Sequence, residues 1–306
     1  MDGGLPGPDG GSPGPDGGTA SRKPYVVFLV DRSATMIYPI DMADPDCRMP
    51  DSTVCGTQGQ DNCVPAVCPT RLGEVRLQLE QFITIHATQA RYGLAFFPAT
   101  ASGGTAPVGA CSASAQMRVS PPMVDEPASL QLSADEVLQA IRNVPAPLGS
   151  TPLGDTLEMV MRETPLGSSA AMPGDLVVIV TDGLPNCNAD NPYDGTQPEC
   201  RCTVSGASCT GSLARLGCLD LEAPVALLNG LRQRGVRTYV MPVGNDAMAG
   251  EGPGVFNALA EAGGTARDCP QGTQAECGGS NTCDTATRRC NWRFLRPGEL
   301  GRILAP

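Results

Sequence analysis

Two stretches of this chain share one design, and that design leaves few folds open. Tyr25–Val30 is an unbroken run of six apolar residues, mostly β-branched or aromatic, and it leads into Asp31, Ser33 and Thr35. The stretch 175–183 repeats the arrangement: an apolar run, Leu176–Val180, ends at Thr181 and Asp182, and Gly183 follows. An unbroken apolar run is what a strand needs when both of its faces are covered, as in a parallel sheet between helices. Such sheets collect ligands outside the carboxyl ends of their strands. The acids and hydroxyls therefore fall where a site is expected. Read alone, Ser33 and Thr35 suit a turn or a helix cap as well as a ligand role.

The remaining pattern alternates helix and strand. Helical spacing predicts a helix over 70–90, with Leu72, Val75, Leu79, Phe82, Ile83 and His86 on one face. His86 is the only histidine. On that face it reads as a core residue, and its solitude removes most Ser/His and Cys/His hydrolase mechanisms. Tyr92–Phe97 predicts a second buried strand and 116–119 a weak edge strand. Ser133 with Glu136 three residues later has the form of a capping box, opening a helix to about Asn143. Thr151 before Pro152 predicts the cap and first turn of a helix running to about Glu163. A helix over 219–234 stopped by Gly235, a strand over 236–243 and a helix over 254–263 follow. A short strand over 292–295 and a helix that barely begins over 297–303, as at a cut domain boundary, complete the series. Strands alternating with helices imply an α/β, doubly wound fold with a mostly parallel sheet flanked by helices.

Composition bounds the setting. Residues 1–23 carry the same six-residue phrase at 6–11 and 13–18, rich in Gly, Pro and Asp. The Gly-x-x phase breaks within each copy, which excludes collagen, and nothing there can build a core. We expect a flexible tether. Fourteen cysteines suggest a disulfide framework and an oxidising compartment. No signal peptide and no membrane-spanning stretch is present. An export segment is therefore expected to have been removed, with Met1 foreign to the natural chain and a lipidated cysteine upstream as the anchor. A net charge of −11 argues against nucleic acid and anionic membrane surfaces as partners.

Three polar segments in order, Asp31-Arg32-Ser33-Ala34-Thr35, then Thr151 within Ser150-Thr151-Pro152-Leu153-Gly154, then Asp182 within Thr181-Asp182-Gly183-Leu184-Pro185-Asn186, resemble the von Willebrand factor A domain, also called the integrin I-like domain. The resemblance spans about 24–306, interrupted by Cys-rich insertions at about 37–70, 183–218 and 265–291. In that family the three segments form a metal-ion-dependent adhesion site. Thr35 stands where the family pattern has a second Ser, and its hydroxyl is expected to serve. The resemblance implies that Asp31, Ser33, Thr35, Thr151 and Asp182 hold a divalent cation, Mg²⁺ first, with Mn²⁺ or Ca²⁺ as alternatives. The hydroxyls would bind it directly or through water, and the carboxylates largely through water. Hard oxygen donors of this kind suit such ions. It further implies a partner protein or surface matrix that offers an Asp or Glu carboxylate, binding without turnover, and an exported, surface-anchored or secreted location. The tether, the use of Arg for every cation but Lys23, and the Cys-rich loops are similar in style to gliding-motility adhesin lipoproteins of myxobacteria. The alternative is a structural subunit of a cell-envelope assembly whose metal site is vestigial. Intracellular A-domain partners of ATPases fit the cysteines poorly, and a metal-dependent hydrolase fits the missing general base poorly.

The cysteines fall into groups of four (47–68), one (111), five (187–218) and four (269–290). The even groups are able to close internally, which leaves Cys111 for the odd group. The first two insertions are expected at the site end of the sheet, and the last at the opposite end. Zinc is the competing reading, weakened by a single histidine and the lack of any Cys-x-x-Cys pair. Pairing within each group is not readable from sequence.

Overall fold

The computed structural model describes residues 22–57, 59–98, 111, 117–167, 174–204, 209–279 and 281–304. Nearly all of the expected tether lies outside them. Four parallel strands form the central sheet: β1 (Tyr25–Asp31), β2 (Arg91–Phe97), β3 (Leu176–Thr181) and β4 (Arg237–Pro242), in the order β2-β1-β3-β4. Val30 pairs with Phe96 on one side and Val180 on the other, so the strand ends are level. Every residue of β1, β2 and β3 is buried, as unbroken apolar runs require.

The sheet is covered on both faces. Val26, Phe28 and Val30 pack with Leu79, Phe82 and Ile83 of α1 (Arg71–His86) and Val137 and Ile141 of α2 (Pro127–Arg142). Val27 and Leu29 point the other way. They pack with Leu157 and Val160 of α3 (Leu153–Glu163), Leu228 and Leu231 of α4 (Glu222–Gln233), and Phe256 and Leu259 of α5 (Gly252–Ala262). Each such side chain contributes ~1.5–3 kcal/mol on full burial. The chain leaves β1 toward β2 on one side and returns to β3 on the other. The carboxyl ends of β1 and β3 therefore flank the point where the winding reverses, the place where α/β sheets bind ligands.

Helix ends follow local chemistry, with corrections to the sequence reading. The Thr70 hydroxyl caps α1 by accepting from the Gly73 amide at 3.1 Å. Gly235 takes φ +79° just past α4, which is why glycine stops it. Ser133 does not cap a helix. α2 begins earlier, at Pro127, and buried Ser133 donates its hydroxyl to the Leu130 carbonyl at 2.9 Å. The S-x-x-E pattern misled because Pro127, whose missing N–H costs nothing in a first turn, is the stronger start. α3 starts at Leu153, and no side chain caps it; the Thr151 hydroxyl is free of that role. Of the weak edge strand only one antiparallel bridge, Leu94 to Val119, is described, and Gln116 lies outside the described residues. Residues 292–295 form no strand, although the Leu295 amide reaches the Val240 carbonyl of β4. The final helix is a single 3-10 turn, Leu300–Arg302. His86 is half-buried, not core: its ring lies 4.8 Å from that of Phe82, and Nδ1 is 2.9 Å from Gln89 Oε1.

All fourteen cysteines are paired. Cys47–Cys68 and Cys55–Cys63 staple the first insertion, Cys200–Cys218 and Cys202–Cys209 the second, and Cys269–Cys283 and Cys277–Cys290 the third. Cys111 joins Cys187, as the odd count required. Sulfurs of three cysteines approach one another in each insertion, but a disulfide leaves no thiolate for zinc. The third insertion lies at the opposite end of the sheet: Gly263, where it departs, accepts a hydrogen bond from Thr238 at the start of β4.

Candidate metal centre

The site grows out of the ends of β1 and β3. Asp31, the last residue of β1, is fully buried. Its Oδ1 accepts from the Ser33 amide at 2.6 Å, and its Oδ2 accepts from the Thr181 hydroxyl at 2.6 Å. Both oxygens are thus held by the protein, one by its own turn and one by the neighbouring strand. This bends the chain so that Ser33 and Thr35 face the same way, with their hydroxyl oxygens 3.4 Å apart. The Ser33 hydroxyl donates to Asp182 Oδ1 at 3.2 Å. Arg32, the intervening residue, turns inward: it is 2 % exposed, and its guanidinium donates to the carbonyls of Pro98 and Ala146.

Thr151 arrives on a separate loop that is bound to the first. The Ala34 amide donates to Gly149 O, and the Leu148 amide donates to Arg32 O. The Thr151 amide donates to Asn186 Oδ1 at 2.9 Å, and the Asn186 amide donates back to Thr151 O. Asn186 in turn donates to the Thr203 hydroxyl at 2.8 Å, which sits beside Cys202 in the stapled second insertion. The disulfides of that insertion therefore help fix the Thr151 loop through two hydrogen bonds. A Cβ on Gly183 would lie 2.8 Å from the Thr151 hydroxyl and force it to shift.

Ser33, Thr35, Thr151 and Asp182 line one cleft of about 360 Å³, together with Tyr38, Arg71, Gly183 and Asn186. Asp31 lies beneath, joined through Ser33. The donor set fits a hard divalent ion. Oxygens at neighbouring corners of an octahedron with ~2.1 Å bonds are ~3.0 Å apart, and the 3.4 Å between the Ser33 and Thr35 hydroxyl oxygens is close to that. Electrostatics agrees. Burial pushes the Asp31 carboxyl up to about 8, and the Asp182 charge adds to this; hydrogen bonds from Thr181 and Ser33 oppose it more weakly. Two buried acids in contact through one serine call for positive charge.

Some of that charge comes from a residue the sequence reading treated only as part of a helix. Arg71 Nη1 lies 2.5 Å from Asp182 Oδ2, with both side chains buried. The guanidinium also donates to Pro39 O at 3.3 Å and lies 5.4 Å from the centre of the Tyr38 ring. The signal available was a cation in the first turn of a helix, where the dipole disfavours it. Asn186 and Thr181 gave no comparable signal.

No family model matches the chain, and no curated protein does. Several solved structures are similar to it at a distance. An aerotolerance-related membrane protein from Bacteroides fragilis shares 14% identity over 79% of this chain and 88% of its own, with a TM-score of 0.39. The PilB minor pilin from Streptococcus sanguinis shares 18% over 80% of this chain and 56% of its own, at 0.46. The VWA domain of SpRpn10 shares 10% over 79% and 82%, at 0.37. Likenesses this remote say nothing of function, which rests on the residues of the cleft.

Proposed function

We propose that this chain is an exported protein-binding module that holds a divalent cation, Mg²⁺ first with Mn²⁺ or Ca²⁺ as alternatives, and uses it to bind a carboxylate of a partner protein or surface matrix. The observation that carries the reading is the convergence of three distant polar segments on one cleft at the carboxyl ends of β1 and β3. Ser33, Thr35 and Thr151 would hold the ion through hydroxyls, and Asp31 and Asp182 would serve it largely through water. With few direct anionic ligands, the bound ion supplies an electron-poor centre that accepts one more carboxylate. Ser33 orients Asp182, Thr181 and the Ser33 amide fix Asp31, and Asn186 fixes the Thr151 loop.

The cleft suits binding rather than turnover, because its one lining acid, Asp182, is already engaged by Ser33 and Arg71. Seven disulfides support an oxidising, extracellular setting. An upstream lipid anchor and the likeness to gliding-motility adhesin lipoproteins belong to the same proposal. The Arg71–Asp182 pair favours one second reading, a structural envelope subunit with a vestigial site, because an internal cation steadies Asp182 without metal.

Beads coated with the full chain separate the two. Adhesion that requires Mg²⁺ and is lost both in chelator and in Asp31→Ala is expected. A folded Asp31→Ala that adheres as well as wild type in chelator would contradict the metal reading.

A further inference from the structure

Arg71 stands out because it shares a ligand with the cation site. Asp182 divides its two oxygens: Oδ1 faces the Ser33 hydroxyl, and Oδ2 is taken by Arg71 Nη1 at 2.5 Å. Arg71 is 1 % exposed. Its backbone is fixed as well as its head, since its amide donates to Tyr38 O at 2.9 Å and the neighbouring residue Thr70 bridges Pro39 at the base of the first insertion. Among the residues that line the cleft, Arg71 and Asp182 alone carry formal charge. Asp31 below is the third charged group of the cluster.

We propose that Arg71 is a built-in counter-cation that makes cation and acidic ligand bind together. The proposal rests on the metal reading above. With both acids ionised, as a bound divalent ion would hold them, Asp31, Asp182 and Arg71 sum to about −1 and the ion takes the sum to about +1. Buried Arg32, whose guanidinium is held by the carbonyls of Pro98 and Ala146, adds to the positive side. An ion alone therefore leaves an excess of positive charge, which one carboxylate from a partner reduces. Without Arg71 that excess would be one charge smaller, and the drive to recruit an external acid would fall. Arg71 thus weakens the bare ion and strengthens the ion–carboxylate pair, a coupling that is reciprocal by thermodynamic necessity. The same arginine keeps Asp182 paired when no ion is bound, so the fold does not depend on metal. This makes Arg71 a positioning and charge-setting residue rather than a ligand.

The test titrates Mn²⁺ calorimetrically into the full chain, in sodium chloride and in sodium acetate at equal ionic strength, with thermal unfolding in chelator alongside. Arg71→Met is expected to bind Mn²⁺ roughly tenfold more tightly in chloride, to lose the tightening that acetate gives wild type, and to melt lower in chelator with recovery on adding Mn²⁺. Arg71→Lys, which keeps the charge, is expected to follow wild type in Mn²⁺ affinity. Equal Mn²⁺ affinity in wild type and Arg71→Met overturns the role of Arg71 and leaves the metal reading standing. An Arg71→Met that stays unfolded in saturating Mn²⁺, or an Arg71→Lys that tightens as much as the Met variant, also overturns it. Wild type that binds no Mn²⁺ in either salt overturns both readings.

Discussion

The two ends of the sheet use the same materials to opposite effect. At the amino end the third insertion closes on itself. Arg267 makes a two-toothed pair with Glu299, at 3.0 and 2.7 Å, and Arg293 reaches Glu261 and Asp268. Cys269–Cys283 and Cys277–Cys290 tie the same segment. Arg302 and Arg289 join the same carboxylates, Glu299 and Glu261, so the charges there are matched within a closed network. At the carboxyl end Arg71 pairs with Asp182, buried Asp31 is held by neutral groups, the Ser33 amide and the Thr181 hydroxyl, and Asp182 opens onto a cleft. The disulfides at that end do not seal the polar groups away. They hold loops, through Thr203 and Asn186 on one side and through Pro39 and Thr70 on the other, so that hydroxyls stay aimed at a common point. Matched charges fasten the chain, whereas charges left one short create a demand that a ligand can meet.

That contrast can be broken at several places. Asp182→Asn strands the Arg71 guanidinium in a buried position, and removing one member of such a pair costs about 3–5 kcal/mol. Denaturant unfolding is expected to show this loss together with the disappearance of Mn²⁺ binding. Replacing Cys277 and Cys290 by Ser at the other end should cost ~2–4 kcal/mol yet leave Mn²⁺ affinity at the wild-type value, because no part of that segment reaches the cleft lining. A drop in Mn²⁺ affinity in that variant would show that the two ends are coupled. The smallest effect on stability is expected for Gly183→Ala. Its Cβ would crowd only the Thr151 hydroxyl, which can rotate away, so unfolding should shift by less than ~1 kcal/mol. Mn²⁺ titration should nevertheless weaken severalfold, since the displaced group is a proposed ligand.

Much of the fold was legible in the sequence because burial on both faces leaves a plain mark. Tyr25–Val30 and Leu176–Val180 have no polar break, and α1 carries its apolar residues at helical spacing; both follow from packing that each residue makes locally. Ser133 shows the limit of such reading. Its cap pattern is real chemistry, but Pro127 two turns earlier supplied a better start, and the hydroxyl simply bonded back within the helix. Residues 292–295 were too short a run to tell a strand from a segment that makes one bond to β4. At the site, the three polar segments were readable because each sits at a strand end or a helix start. Arg71, Asn186 and Thr181 were not, since their roles depend on residues more than thirty positions away brought together by the β1–β3 switch. Grouping the cysteines by count assigned Cys111 to the odd set, while the pairs within each set needed coordinates.

The most direct measurement is diffraction from crystals soaked in Mn²⁺, read by its anomalous signal. The account predicts one strong peak in the cleft, about 2 Å from the Ser33 and Thr35 hydroxyl oxygens, with Arg71 still on the far oxygen of Asp182. A cleft that shows no peak at saturating Mn²⁺, with the ion bound elsewhere or not at all, would contradict it.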